Sequence, residues 1–512
     1  MKYHSIVFIL LFIFLVAAKT NAAIFTVTKT ADTNDGVCNA DCSLREAFAA
    51  ANAAASADTI NFDTDIFSTA QTITLSGAEL INGTDNSPAN YNASGDLTIN
   101  GTGADLLSIS GNNASRVIYN QKSLLTINGV TIAGGNGVSS FDNGLGGGIN
   151  NSGQLNLNDS IVTGNTTDLG GGGIYTGASR VLNINNSSVS NNTARNGGGI
   201  YYSLTGGNIT NSNINANMTN GGGGGGIFVS TGNINITNSN ITSNKSNGGG
   251  GIYNIGGGTM TINNSAVIAN QAVGTGGGIY NGNTLNLNNS TISSNTANPL
   301  SFTIGGGGID NNGTLNLTAS TLSNNAALNS TYGGGIINRG TANITNSTVS
   351  TNTAGRGGGI FTSGIGAVNL VSATVAKNVS GSSGGGVSIF SNSIVRARNT
   401  IIADNTANTG ADFSGVITSQ GYNLIENTDG LAGAAATDLT GVDPQFLPLD
   451  FYGGPTKTHA LLVGSPVINA GSNETASATD QRGFARIIGG TIDIGAFEFV
   501  PIKPRKRRVS IF

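Results

Sequence analysis

From residue 146 to residue 405 the sequence repeats one pattern of apolar and polar positions. Ten times it writes Gly-Gly-Gly and then an aliphatic residue: Ile149, Ile174, Ile200, Ile227, Ile252, Ile279, Ile309, Ile336, Ile360 and Val387. Successive copies lie 24 to 30 residues apart. Each is followed by a block in which apolar and polar residues take turns, such as Leu285-Asn-Leu-Asn-Asn-Ser-Thr-Ile-Ser-Ser-Asn295. Alternation with period two is the signature of a strand, and no helical period occurs inside the repeat. The period therefore predicts one coil of short strands and turns. A single coil cannot bury its own apolar face, but the next coil stacked on it does so. The expected fold is all-β: a right-handed single-stranded parallel β-helix, or solenoid, over residues 81–410. Ten coils spaced about 4.8 Å apart span about 50 Å.

Aligned on Ser290 and its equivalents, the blocks show columns. Three residues before the serine stand Leu157, Ile184, Ile209 and their successors; two after it stand Val162, Val189, Ile214 and theirs. These are the expected interior ladders. Five after it every copy has Asn, from Asn165 and Asn192 through Asn270 to Asn405. Asn tolerates the left-handed backbone of a tight bend, and stacked amides can hydrogen-bond along the axis, so this column is expected at a bend. Four before the serine runs a second Asn column that includes Asn156, Asn183 and Asn286, expected on a solvated sheet face. The residue after the triplet aliphatic is repeatedly aromatic: Tyr175, Tyr201, Phe228, Tyr253, Tyr280 and Phe361. Alternation turns it outward. The six are the candidate ligand-binding residues, a stripe suited to sugar rings, with self-stacking that stiffens the rod as the equal alternative.

Both ends of a β-helix need covering. Residues 42 to 55 carry the one strong helix signal beyond the N-terminus, with Ser43 as N-cap, Glu46 completing a capping box, and Leu44, Ala47, Phe48 and Ala51 on one face. A short helical N-terminal cap over the first coil is expected. Cys38 and Cys42, the only cysteines, are expected to form a disulfide, with a metal site as the weaker reading. Lys2 followed by the apolar run Ile6–Ala18 reads as a secretory signal cut after Ala22, which places the protein outside the cell or on its surface. No second hydrophobic span follows. Six of the eight prolines fall after residue 440.

The repeats resemble those of polymorphic outer-membrane proteins and related β-helix adhesins. Cys42-Ser43-Leu44-Arg45-Glu46-Ala47 matches the CSLREA motif, and the resemblance extends over about residues 25 to 63. The series Asp443-Pro444-Gln445-Phe446, Gly464-Ser465-Pro466, Asp480-Gln481-Arg482-Gly483 and Asp493-Ile494-Gly495-Ala496-Phe497-Glu498 resembles the choice-of-anchor Q domain. These likenesses imply surface architecture rather than an activity. They divide the protein into a signal peptide (1–22), a capping module (23–80), the repeats (81–410), an anchor-like region (411–499) and a basic tail (500–512).

Charge narrows the partners. Only 9% of residues are charged, and the net charge is −4. Five of the 22 basic residues, Lys503, Arg505, Lys506, Arg507 and Arg508, sit in the tail. No basic groove is expected, which argues against nucleic acid. Polysaccharide or cell-surface glycan is the expected partner. β-Helices also house polysaccharide-degrading enzymes, so lyase or hydrolase chemistry is the main alternative, and a structural spacer the second. The acids Asp159, Asp168, Asp310 and Asp404 fall in different or distant coils, Arg195 and Arg356 lie six coils apart, and the two histidines, His4 and His459, lie outside the repeats. No catalytic residue, metal site or cofactor is therefore expected. The glycine triplets are not phosphate loops, since no Lys-Ser/Thr follows them. Asp480, Arg482, Asp493 and Glu498 read as an ion-paired C-terminal cap.

Overall fold

A computed structural model describes residues 22–501 apart from 54–55, 84–94, 122–123, 138–143, 178–180, 204–205, 299–304 and 330. The signal segment up to residue 21 and the basic tail from residue 502 lie outside the described residues.

The protein is a parallel β-solenoid. One coil shows the plan. Ile279–Asn281 forms a triplet strand, Thr284–Asn288 an alternating strand, Thr291–Ser293 a serine strand and Thr296–Ala297 a short fourth strand. Each pairs in parallel with its counterpart one repeat on: Ile279 with Ile309, Leu285 with Leu315, Ile292 with Leu322, Ala297 with Ala327. Inward and outward residues alternate as expected. In Thr284–Asn288, Leu285 and Leu287 are buried while their neighbours are half-buried. The interior ladders form one continuous core from Val27 to Ile425. Parallel pairing starts with Ile24–Val27 on Asp58–Phe62 and ends with Leu424–Ile425 on Leu439–Thr440. The solenoid is thus longer than the repeat span of 81–410.

The glycine triplet divides its labour. Its first residue has positive φ in most coils, as at Gly276 (φ 64°). At its second residue a Cβ would meet backbone of the next coil: at Gly277 it would lie 2.3 Å from the Gly307 carbonyl oxygen. Both demands favour glycine over any residue with a side chain.

The invariant Asn column differs from expectation in its backbone. The left-handed residue is the one before it: Asn191, Ala216, Ser243, Ala269, Ser294, Asn324, Thr351, Lys377 and Asp404 all have positive φ, as at Ala269 (φ 57°). A second left-handed column precedes the aligned serine, as at Asn289 (φ 48°). The invariant Asn turns inward, fully or almost fully buried. Its amide serves hydrogen bonding instead. The backbone N–H and Nδ2 of Asn270 both donate to Asn295 Oδ1 (3.0 Å each), and Nδ2 also donates to the Ile241 carbonyl (2.9 Å). The same pattern runs from Asn165 to Asn405, where Asp412 Oδ1 takes the final pair of bonds.

The outward Asn column is also a ladder and not merely a solvated face: Asn316 Nδ2 donates to Asn286 Oδ1 (2.8 Å), and Asn343 to Asn316 (2.8 Å). A third, buried column does not stand out in the sequence. It includes Asn254, Asn281, Asn311 and Asn338, two residues after the triplet aliphatic, joined at 2.7–2.9 Å.

The helix Leu44–Asn52 packs against Ile24–Val27, Asp58–Phe62 and Leu80–Asn82, and so covers the first coil. Its capping box is formed, and the buried face is Leu44, Glu46, Ala47, Phe48 and Ala51. Cys38 and Cys42 are joined in a disulfide in the loop before it.

The C-terminal segment is not an end cap. Beyond residue 442 it folds back along the side of the solenoid and covers the outer face of the serine strands. Thr348 Oγ1 meets Thr458 Oγ1 (3.0 Å) and donates to Gln481 Oε1 (2.6 Å), Asn346 Nδ2 donates to the Thr479 carbonyl (2.9 Å), and Ala496 N donates to Thr374 Oγ1 (3.0 Å). A small second core joins Ile401, Ala403 and Leu424 of the coils to Ala460, Leu461, Val467, Ile494 and Phe497. The charges expected over the end of the rod lie within this lateral segment. Arg482 Nη2 donates to Asp480 Oδ2 (2.7 Å), its guanidinium lies 3.5 Å from the centre of the Phe497 ring, and Glu498 N donates to Asp480 Oδ2 (3.0 Å).

Candidate functional site

Strand alternation places the aromatic column on the outer face of the triplet strands, and parallel register puts the rings in line. Tyr175, Tyr201, Phe228, Tyr253 and Tyr280 form one continuous stack, with centroids 4.5–5.5 Å apart and planes within 15–24°. That spacing is the coil rise itself. The geometry limits ligand binding. Each inner ring has both faces covered by its neighbours and presents an edge, and Phe228 is only 7% exposed. A sugar cannot lie flat on an inner member of such a stack.

Phe361 does not belong to the stack. After Tyr280 the column continues through Asp310 and Ile337 before Phe361. Phe361 is 3% exposed and is stacked between Tyr332 (4.6 Å) and Phe390 (6.3 Å), with the Arg356 guanidinium 5.3 Å from the Phe390 centroid. Asp310 breaks the aromatic run because it is buried against Arg339 Nη1 (2.7 Å) and Asn312 Nδ2 (2.9 Å). Burial, against the pull of Arg339, pushes its carboxyl up to about 6.

Beside the stack runs a shallow groove. One hollow of about 450 Å³ is lined by Leu169, Tyr175, Arg195, Asn196, Tyr201 and Gly221, among others. The next, about 390 Å³, is lined by Asn196, Gly221, Phe228, Asn247, Tyr253 and Thr275, among others. They share Asn196, Gly221 and Gly222, so the groove continues over successive coils. One wall is ring edges; the other is the polar loop entering each glycine triplet. Glycine keeps that wall close: at Gly223 a Cβ would lie 2.7 Å from the Tyr253 ring. The hydroxyls of Tyr201, Tyr253 and Tyr280 make no hydrogen bond among the described residues. Burial, with smaller contributions from neighbouring Tyr280 and Asp310, raises the Tyr253 phenol above its ordinary value, so it stays a donor.

One pairing outside the groove resembles a nucleophile and its base. Ser350 Oγ and His459 Nε2 are 2.9 Å apart, and His459 Nδ1 contacts the Leu447 carbonyl at 2.8 Å. Both residues, however, are buried under the lateral segment. Burial lowers the imidazole to about 4, so it is neutral and serves as a structural bridge. Among the described residues no group of three or more His, Cys, Asp or Glu side chains could hold a metal ion, and no helix is long and apolar enough to cross a membrane.

No family model and no curated protein matches the sequence. Among solved structures the protein is similar to the crystal structure of pectate lyase Pel9A, at 14% identity, covering 94% of this chain and 97% of that one with a TM-score of 0.33. At that score no residue or activity carries over.

Proposed function

We propose that the protein is a secreted or cell-surface scaffold, adhesin-like, that binds an extended polysaccharide along its aromatic groove without cleaving it. The observation that carries this reading is the coil-by-coil repetition of the groove's lining. Ring edges and glycine backbone recur at the coil rise, with the amides of Asn196 and Asn247 two coils apart, so the surface suits an extended polymer better than a compact small molecule. The lining residues of both hollows include no carboxylate. Ligand contact then comes from phenol hydroxyls, from Asn196 and Asn247 and from Arg195, not from flat stacking on ring faces. Export is supported by the apolar run Ile6–Ala18 and by the disulfide.

The test uses one purified sample for a glycan array and for a release assay on the same polysaccharides. Retention without new reducing ends or unsaturated products is expected. Tyr201→Phe combined with Tyr253→Phe keeps the stack and removes two hydroxyls, and should weaken retention roughly 5- to 10-fold. Released products would instead establish a lyase or hydrolase. Neither retention nor release would leave a structural spacer, for which the self-satisfied ring stack is suited.

A further inference from the structure

Ten Asn-Gly steps occur in the sequence, beginning at Asn82, Asn100, Asn128, Asn136, Asn143, Asn196, Asn220, Asn247, Asn281 and Asn312. Asn143 lies outside the described residues. In such a step the backbone nitrogen of the glycine, once deprotonated, can attack the Cγ of the asparagine. A new C–N bond closes a five-membered succinimide, the bond from Cγ to Nδ2 breaks, and the amide nitrogen leaves as ammonia. Water then adds to one of the two imide carbonyls and opens the ring to aspartate or isoaspartate. The balance needs only water. The Asn-Gly pair itself is the same at every step, so strong selection among the steps is made by the fold.

Eight of the nine described steps are restrained. Asn82, Asn100, Asn128 and Asn281 donate from Nδ2 into amide ladders. Asn136, Asn247 and Asn312 donate to the Asn113 carbonyl, the Gly221 carbonyl and Asp310 Oδ1, and Asn196 Oδ1 accepts from Gly223 N (3.1 Å). Most of the attacking nitrogens are committed as well: those of Gly101, Gly129, Gly137, Gly197, Gly282 and Gly313 donate to backbone carbonyls, and that of Gly83 to Asn52 Oδ1.

Asn220 differs on each count. It is exposed, and although its backbone N–H donates to the Ala194 carbonyl (2.8 Å), its side-chain amide makes no hydrogen bond among the described residues. The backbone N–H of Gly221 likewise donates to no backbone carbonyl among them. Gly221 stands at φ 112° with no atom within 4 Å of where a Cβ would be, so nothing packs on that side of its backbone. We propose that Asn220–Gly221 is the step at which the folded protein deamidates, writing a new carboxylate onto the rim of the groove, where Gly221 shares a hollow with Arg195. The proposal does not depend on what the groove binds.

The test is incubation of the full-length protein in mildly alkaline buffer, followed by digestion, mass spectrometry of each Asn-Gly peptide and enzymatic methylation of isoaspartate. In the folded protein Asn220 should convert about tenfold faster than any other step, since one restraining hydrogen bond contributes about that factor. In concentrated urea the ten rates should converge. Asn220→Gln should remove most of the isoaspartate that accumulates in the folded protein. Equal rates in the folded protein, another step converting first, or selectivity that survives in urea would each overturn the proposal, as would an undiminished signal in Asn220→Gln.

Discussion

Asn270 gives three hydrogen bonds, and its side-chain oxygen receives two. Its Oδ1 accepts from the backbone N–H and Nδ2 of Asn244, and its own donors reach Asn295 and Ile241. None of these groups reaches water, because Asn244, Asn270 and Asn295 are all fully buried. Asn270→Leu therefore strands the donors of Asn244 and the Ile241 carbonyl, at about 1–3 kcal/mol for each buried group left alone. A loss of about 3 kcal/mol or more is expected, with local opening around the coils that hold Asn244 and Asn295. Asn286 is half-buried on the outer face, and its Oδ1 takes one described bond, from Asn316. Asn286→Leu should stay within about 1 kcal/mol of zero. Hydrogen exchange on the two variants decides the matter; equal protection would mean that the inward ladder contributes no more than the outward one. The penalty at Asn270 comes from the amide and not from its backbone, because Ala269 holds the left-handed position.

At the scale of elements, the strands were legible wherever a column was nearly unbroken. Ten triplets and ten invariant Asn residues fix the period, and alternation fixes which residues face in. The buried Asn column after the triplet was not legible because Thr176, Tyr202, Val229 and Thr362 interrupt it. The left-handed columns were hidden for a related reason: Ala, Ser, Thr and Lys share them with Asn, so composition gives no signal. The aromatic column was legible as outward, but period two cannot tell whether rings offer their faces to a ligand or to each other. The polar wall of the groove beside it is made by loops of unequal length and has no period in the sequence to read. The N-terminal helix was legible down to its cap, since Ser43, Glu46 and the apolar spacing agree. Ser43 Oγ accepts from Glu46 N (3.1 Å) and donates to the Thr33 carbonyl (2.6 Å), while Ser43 N donates to Glu46 Oε2 (2.7 Å). Ser43→Ala should cost about 1–2 kcal/mol. Because coils couple mainly to neighbours, lost exchange protection should be confined to Leu44–Asn52 and the first coil. Deprotection spreading evenly along the rod would show that the cap governs the whole solenoid.

At the scale of the molecule the ladders have a direction. Each Asn of the inward ladder sends its backbone N–H and one Nδ2 hydrogen to the side-chain oxygen one coil nearer the C-terminus, so the last coil needs an acceptor there. Asp412 ends the Asn ladder, accepting from Asn405 and, through Oδ2, from Asn427 N (2.7 Å). The serine-level bonds, which run from Ser160 through Ser347, end comparably: Thr400 N donates to Asn423 Oδ1 (3.1 Å), and Asn423 N and Nδ2 donate to Asp438 Oδ1 (3.0 Å each). This placement of anions at the receiving end of aligned dipoles parallels the charge preference of helix ends.

Buried carboxyls also set how the rod responds to acid. Burial pushes Asp412 and Asp310 up to about 6 and Glu498 up to about 7, from ordinary values of 3.8, 3.8 and 4.5. Between those ordinary values and the raised ones the folded state holds more protons than the unfolded state, so stability rises as pH falls. His459 works the other way. Burial lowers it to about 4, so below 6.5 the unfolded state takes up its proton first and stability drops. Glu498 begins to protonate at higher pH than the histidine of the unfolded chain, so the first step of acidification is only partly opposed. Glu498 also contacts Arg486, itself wholly buried, at 3.8 Å, so protonation sacrifices part of an ion pair that burial already weakens. The thermal midpoint should therefore rise from about pH 7.5 down to about pH 4.5, by about 0.5–1 kcal/mol over the first pH unit and more steeply below it, where Glu498 and two aspartates act against one histidine. Glu498→Gln should flatten the rise above about pH 6.5 and make the rise below it shallower. Melting curves of both proteins across that range provide the check. A midpoint that falls on mild acidification, or an upper step that persists in Glu498→Gln, would show that Glu498 is charged at no net cost beside Arg486 and that the lateral segment is held by ion pairing rather than by its apolar contacts.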